Sequence, residues 1–128
     1  MSADTRELHQ LANAMAWNTG EAERQMTGIV MRGALNVKNQ WRANAQASAG
    51  RHARLYPYSV SYDPLPMPGG ASAEIGPDKD KPQGALGNIL EYGTSRQGGH
   101  NDGGRALIAE LPRFEAQVVA LTVRLGRL

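Results

Sequence analysis

The chain has 128 residues, a length suited to one domain with a single core. It contains no cysteine, which excludes disulfides, thiol nucleophiles and cysteine-ligated metals. The formal net charge is only +2, and we find neither a signal-peptide pattern nor a run of about 18 apolar residues, so we expect no secretion signal and no membrane span.

Two helices are predicted before residue 50. A short amphipathic helix over residues 4–17, ended by Asn18-Thr19-Gly20, is indicated by apolar residues at helical spacing, Leu8, Leu11, Ala12 and Met15. A long helix from Glu21 to about Ser48 is indicated by the absence of proline and by apolar steps of three and four, Ala22, Met26, Ile29, Val30, Gly33, Val37 and Trp41. Gly28 and Gly33 each cost about 1 kcal/mol relative to alanine, which suggests close approach of another backbone, above all at Gly33.

The long helix also carries positive charge. No acidic residue occurs between Glu23 and Asp63, whereas six cationic residues do, Arg24, Arg32, Lys38, Arg42, Arg51 and Arg54. A helical wheel places the helix cations roughly opposite the apolar side, with Arg32 on the flank. We therefore predict a basic face that can meet phosphate or an acidic partner, although a solvated surface is the commoner role of such a face. Leu35 lies on this face and is a candidate contact.

A hairpin is predicted next. Alternation of apolar and polar residues from Tyr56 predicts a strand over residues 58–63, and a weaker pattern predicts a second strand over 71–75 that pairs back on it. The turn between them is proline- and glycine-rich, with Pro64, Pro66, Pro68, Gly69 and Gly70.

The last third of the chain is predicted to contain two helices around a loop. About two helical turns over residues 85–90, closed by Gly93, fit the apolar spacing, although a strand is the alternative there. Residues 95–104 are polar and glycine-rich, which is typical of a binding loop or a disordered one. A C-terminal helix that Pro112 starts or kinks is indicated by the stripe Leu107, Leu111, Phe114, Val118, Leu121 and Leu125. The predicted fold is α+β: an N-terminal helix and a long amphipathic helix on a small antiparallel sheet, plus a C-terminal helix.

No catalytic motif is present. Glycine-rich phosphate loops, a serine nucleophile elbow and paired-histidine metal motifs are all missing. His100 with Asp102 could meet a metal, but two polar residues in a glycine loop is the better interpretation. Glu91 lies in an apolar segment without a second carboxylate at suitable spacing, so we expect it to accept a hydrogen bond or to meet an arginine across an interface. We predict no enzyme and no cofactor.

The segment Ala85-Leu86-Gly87-Asn88-Ile89-Leu90-Glu91-Tyr92-Gly93-Thr94 resembles the block ending in Glu-[Phe/Tyr]-Gly-Thr of phage neck and tail-completion proteins. The matching motif residues are Glu91, Tyr92, Gly93 and Thr94. The family's order of elements, a long helix, a strand pair, this block, a polar loop and a C-terminal helix, also matches over nearly the whole chain. The chain differs in having Gly104-Arg105-Ala106-Leu107 without the family's proline, and Ala49-Gly50-Arg51 in place of Pro-x-x-Thr-Gly.

The resemblance implies a structural virion protein, assembled in the host cytoplasm, that forms a homo-oligomeric ring at the head-tail junction of a tailed bacteriophage. Implied partners are further copies of itself, a stopper or adaptor, the tail terminator, the tail tube and the genomic DNA in the lumen. A small domain suits this role because apolar faces left exposed by one copy can be buried by its neighbours. Candidate interface residues are Leu35, Arg96, His100 and Asp102.

Two other functions stay open. A small nucleic-acid-binding module could be formed by Arg32, Lys38, Arg42, Arg51 and Arg54. Bases could stack on Tyr56, Tyr58 and Tyr62 beside them, although a strand with one aromatic face is the better interpretation of these tyrosines. That module would hold duplex DNA with an affinity that falls steeply as salt rises. A metal-dependent enzyme at His100 and Asp102 would lose its activity on His100→Ala.

Overall fold

The computed structural model describes residues 2–65, 67–68, 70–94 and 98–126, with the side chains of the first helix described at Arg6 and from Gly20 onward. The helices are α1 (Ser2–Ser48), α2 (Gly87–Tyr92) and α3 (Asp102–Gly126), and the strands are β1 (Val60–Leu65) and β2 (Ser72–Pro77). Three short 3-10 turns cover Arg51–Ala53, Tyr56–Ser59 and Gly84–Leu86. The prediction of an α+β fold, with helices and a small antiparallel sheet, is confirmed.

The two helices predicted before residue 50 are one continuous helix. The prediction that Asn18-Thr19-Gly20 ends a helix is wrong, because α1 runs from Ser2 to Ser48 without interruption. These residues have low helix propensity, yet each costs only about 1 kcal/mol or less, whereas two new helix ends would leave several backbone groups without partners. Glu21, just after this segment, accepts hydrogen bonds from Arg24 and Gln25 one turn later and supports the helix there.

Helices α1 and α3 pack side by side and run in opposite directions. The start of α3 lies near the end of α1, where the Asn44 amide donates to the Asp102 carbonyl. Near the other end, Arg124 donates to Gln25. Between these points the Phe114 ring packs on Gly33, where an added Cβ would lie 3.2 Å from a ring carbon. The close approach predicted at Gly33 therefore exists, although a side chain rather than a backbone makes it.

The hairpin covers a second side of α1. Its antiparallel register pairs Val60 with Pro77 and Leu65 with Ser72. The predicted strand pair is thus present, displaced by about two residues along the chain. The displacement arises because residues 56–59 form a 3-10 turn: the Tyr58 amide donates to the Leu55 carbonyl, and the Val60 amide donates to the Pro57 carbonyl.

The aromatic alternation at residues 56–62 does not form one face of a strand. Tyr56 is buried, Tyr58 is exposed, and the Tyr62 ring lies under the Lys38 ammonium, 5.4 Å from the ring centroid. The prediction that these three tyrosines form one aromatic face of a strand is therefore wrong, and they offer no common face for base stacking.

The interior among the described residues is small and built largely from small side chains. The buried apolar residues are Ile29, Ala34, Val37, Ala45, Ala53, Tyr56, Val60, Ala106 and Leu121. Around Ala45, Ala53 and Tyr56, the partly buried Trp41, Ala49, Leu86 and Leu90 complete one cluster. None of the helices in the described ranges combines the length and the apolar character needed to cross a bilayer.

Candidate functional site

The Glu-Tyr-Gly-Thr block lies at the end of α2. The helix ends at Gly93, which has φ 82° and whose amide donates to the Ile89 carbonyl at 2.8 Å. A positive φ of this kind favours glycine, because a Cβ there would clash with the backbone. Gly93 thereby reverses the chain and leaves the last carbonyls of α2 available to other partners.

The chain that follows returns over the end of α2. The His100 amide donates to the Leu90 carbonyl at 2.8 Å, and the Asn101 amide donates to the Glu91 carbonyl at 3.0 Å. Gly99 permits this return, since a Cβ at that position would lie 2.3 Å from the Glu91 carbonyl oxygen. The return brings the first turn of α3 directly against the motif.

The Glu91 side chain caps α3. Its Oε1 and Oε2 accept the Gly103 amide at 3.0 and 3.1 Å, and Oε2 also accepts the Gly104 amide at 3.1 Å. The first amides of a helix have no partner within the helix and carry partial positive charge, so a buried carboxylate is well placed there. The prediction that Glu91 accepts a hydrogen bond is confirmed; its donors are backbone amides of the same chain.

Residues 102–104 are therefore not part of a loop, and that part of the prediction for residues 95–104 is wrong. Gly103 and Gly104 form the first turn of α3. Gly103 is required by the Trp41 ring, because an added Cβ would lie 2.6 Å from a ring carbon. A pair of consecutive glycines is usually found in a loop. Here the Glu91 cap and the close contact with Trp41 hold Gly103 and Gly104 in a helix.

Asp102 joins the same site from the other side. It is 1% exposed, and its carboxylate accepts the Ser48 hydroxyl at 2.8 Å and an Arg105 guanidinium N–H at 2.6 Å. With the Asn44 amide on the Asp102 carbonyl, α1 provides two donors. We call Asn44, Ser48, Glu91, Asp102, Gly103, Gly104 and Arg105 the junction, since they tie the ends of α1 and α2 to the start of α3.

His100 lies beside the junction. His100 Nδ1 lies 3.8 Å from Asp102 Oδ2, beyond hydrogen-bond distance, and no group of three or more histidine or acidic residues in the described ranges could hold a metal ion. Both oxygens of the Glu91 carboxylate and of the Asp102 carboxylate already accept hydrogen bonds from within the chain. What this arrangement can do is fix the position of α3.

The pKa of Tyr56 reflects the burial and the negative charges of this region. Burial raises the pKa of its phenol, and the negative charges of Glu91 and Asp102 raise it further. The Trp41 indole N–H, which lies close to the Tyr56 hydroxyl without reaching hydrogen-bond geometry, acts in the opposite direction. Both polar atoms are buried, so this part of the core keeps Tyr56 in its neutral form.

The structure separates the six predicted basic residues. Lys38 contacts the Tyr62 ring, and Arg42 Nε donates to the Val60 carbonyl at 2.8 Å, so the hairpin covers this part of the predicted basic face. The prediction of a continuous, uncovered basic face on α1 is therefore wrong. Arg24 pairs with Glu21, and Arg32 is exposed on the flank. Beyond α1, exposed Arg51 and Arg54 border a shallow depression with Gln46 and Tyr58.

The predicted interface residues also differ in position. Leu35 is exposed, and the His100 side chain is 30% exposed. Asp102 is not available as a contact residue, because its buried carboxylate is bonded within the junction. Arg96 lies outside the described residues. Tyr92 of the motif is 78% exposed, so the motif places one side chain inside and the next one outside.

Sequence reasoning missed the uncovered surface of α3. Five of its large apolar side chains are exposed, Leu107, Ile108, Leu111, Val119 and Val123. Leu107 and Leu111 border an apolar groove of about 170 Å³ whose other walls include Val37 and Ile75. The predicted stripe, with its steps of three and four residues, suggested that α3 has a single apolar side and that this side is buried. The apolar residues of α3 in fact occur around most of its circumference. This distribution was already visible in the sequence.

Comparison with known protein families, with curated proteins and with solved structures finds no match to this chain.

Proposed function

We propose that the protein is a structural subunit of a ring in the head-tail connector of a tailed bacteriophage. The subunit joins head to tail around the DNA channel, and it carries out no reaction. Its partners are further copies of itself and the stopper or adaptor, tail terminator and tail tube on either side. The genomic DNA passes through the lumen of the ring.

The observation that carries this proposal is the uncovered apolar surface of α3. Ile108 is 66% exposed and Val119 is 61% exposed, while the chain's own core consists largely of small residues. Exposed apolar surface of this extent on one helix is typical of a protein-protein contact. A closed ring would bury that surface without any change in the fold of one copy.

The order of elements supports the same function. A long helix, a strand pair, the Glu-Tyr-Gly-Thr block and a C-terminal helix follow one another as in phage neck and tail-completion proteins. The block's glutamate has a structural role that suits this family resemblance, because Glu91 fixes the helix that carries the exposed surface.

The test is deletion of the gene in a phage that carries it. We expect filled heads and separate tails that fail to join, and we expect mass spectrometry of wild-type virions to find the chain in multiple copies per particle. Joined virions after deletion, or virions without the chain, would contradict the proposal. Complementation with the wild-type gene is the control.

A nucleic-acid-binding module is the second candidate. Exposed Arg51, Arg54 and Tyr58 lie around one depression, an arrangement that can contact phosphate and stack a base. Short duplex DNA discriminates the two functions: a binding module holds it as a monomer with an affinity that falls steeply with salt. For a connector subunit we expect weak binding to free DNA and self-association.

A further inference from the structure

The uncovered surface of α3 contains a regular stripe. Every residue of the stripe is exposed: Ile108, Pro112, Glu115, Val119 and Val123. Their spacing of four, three, four and four residues places them on one side of the helix, away from the buried Ala106, Glu110 and Leu121. Glu115 is the one charged member, and the described residues offer it no ion pair.

A second stripe lies on α1. Gly28, Arg32, Leu35 and Asn39 are all exposed and follow one another by four, three and four residues. Within the described residues nothing approaches within 4 Å of a Cβ placed on Gly28, and Arg32 has no ion-pair partner. This stripe lies beside the residues through which α3 and the hairpin contact α1, such as Asn36 and Arg42. Its Arg32 also borders the cleft between α1 and α3.

We infer that the α3 stripe of one copy docks on the α1 stripe of a second copy of this chain. The inference rests on the proposed ring and assigns the contact between its neighbours. Charge complementarity identifies the occupant, since the unpaired Glu115 of one surface matches the unpaired Arg32 of the other. Because the two stripes are different surfaces, each copy has both and the contact repeats head to tail, as a ring requires.

The spacing of the two stripes agrees when the helices run antiparallel. With Glu115 opposite Arg32, Val119 lies opposite Gly28, because both are four residues away, about 6 Å along the axis. On the other side Pro112 lies opposite Leu35, three residues away in each stripe. The missing side chain at Gly28 leaves room for Val119, which gives that glycine a function that no contact among the described residues provides.

Disulfide trapping tests the contact, and the native chain has no cysteine to interfere. Under oxidation the full-length double variant Gly28→Cys with Val119→Cys should form a ladder of dimers, trimers and larger species on a non-reducing gel, since opposed residues in this packing meet the separation a disulfide needs. The matched control Leu55→Cys with Val119→Cys, which pairs two exposed positions on different surfaces, should form no ladder.

The charges provide a second test, by sedimentation velocity. Glu115→Arg and Arg32→Glu should each weaken self-association about two- to fivefold. An equal mixture of the two variants should recover it, because the exchanged charges attract at every second contact and the original charges attract at the others. Val119→Lys should weaken self-association at least about tenfold, whereas Leu55→Lys should not.

The outcomes separate this contact from the ring itself. A wild-type chain that assembles while neither the ladder nor the charge effects appear would overturn the contact and leave the ring standing. A contact of α3 with α3 would trap only dimers through Val119→Cys alone and would ignore Arg32→Glu, and it would also overturn the inference. A wild-type chain that stays monomeric at millimolar concentration and is missing from virions would overturn both proposals.

Discussion

The start of α3 and its outer side differ in whether their side chains and amides find partners within one copy. At its start, α3 is held by the junction, where Glu91 and Asp102 are buried and accept hydrogen bonds from amides, a hydroxyl and a guanidinium. Further along, the same helix exposes Ile108, Val119 and Val123. The buried carboxylates of the junction are paired within one copy, whereas the described residues leave the outer stripe uncovered.

This difference indicates that the start of α3 and its outer side have different roles. A buried polar group without a hydrogen-bond partner costs more free energy than the same group in water. The chain therefore supplies hydrogen-bond partners for the junction from its own residues. An exposed apolar side chain costs the monomer less free energy than an unpaired buried polar group. Covering that side chain with a neighbouring molecule is favourable, because it removes apolar surface from water. The junction therefore determines where α3 lies, and we propose that the stripe is the part of α3 that a neighbouring copy binds. The following changes test this contrast, beginning with the largest effect.

Glu91→Ala should destabilise the monomer by about 2 to 4 kcal/mol, because it leaves the buried Gly103 amide without its acceptor. Glu91→Gln should cost less, since one acceptor oxygen remains. Urea unfolding followed by circular dichroism measures both free energies. A Glu91→Ala protein as stable as the wild type would show that the junction does not hold α3.

Gly103→Ala should cost about 1 to 3 kcal/mol, because its Cβ would lie 2.6 Å from the Trp41 ring. Gly126→Ala is the matched control at the other end of α3, where nothing lies within 4 Å, and it should be neutral or slightly stabilising. Thermal unfolding of the two variants gives the comparison. Equal melting temperatures would contradict the tight packing at the junction.

The stability of the protein should fall at alkaline pH. The pKa of Tyr56 is raised above its ordinary value of 10.0, so above that pH the unfolded chain releases the phenol proton while the folded chain retains it. The unfolded state then binds fewer protons, and the free energy of unfolding decreases by up to about 1.4 kcal/mol per pH unit until the pH passes the folded-state pKa.

Tyr56→Phe should remove that part of the decrease. Unfolding by urea at a series of pH values above 10 measures the slope for the variant and the wild type. Tyr58→Phe, at an exposed ring, is the control and should keep the wild-type slope. Equal slopes for wild type and Tyr56→Phe would contradict the role of burial.

The smallest effect is expected on the open side of α1. Gly28→Ala should stabilise the monomer by about 0.5 to 1 kcal/mol, because alanine favours the helix and no neighbour in the described structure obstructs its Cβ. Gly33→Ala is the matched comparison, and it should gain less because its Cβ meets the Phe114 ring at 3.2 Å. A larger gain at Gly33 would contradict the packing of α1 on α3.

Local patterns were sufficient for most elements. Apolar spacing predicted the second half of α1 and most of α3, and alternation with a proline-rich turn predicted the hairpin. These signals are reliable because each depends on neighbours within one or two turns of the chain. Residues 58 and 59 were misassigned as the start of a strand because Pro57 and the local carbonyls favour a turn over residues 56–59.

The junction could not be predicted in the same way. Gly103 and Gly104 have the composition of a loop, and their helical conformation depends on Glu91, at least twelve residues earlier, and on Trp41 in another helix. Likewise, the helical wheel placed Lys38 and Arg42 correctly on α1 but gave no indication that the hairpin would cover them.

By itself, the sequence determined the α+β class and the approximate positions of most helices and strands, because helix and strand periods are local properties of the chain. It also singled out the segment around Glu91, without deciding between helix and strand there. Only the tertiary structure decided that α1 is continuous, that Glu91 and Asp102 are buried in one junction, and which side of α3 is left open. Those features depend on hydrogen bonds and contacts between residues far apart in the chain, whose free energy outweighs local propensity.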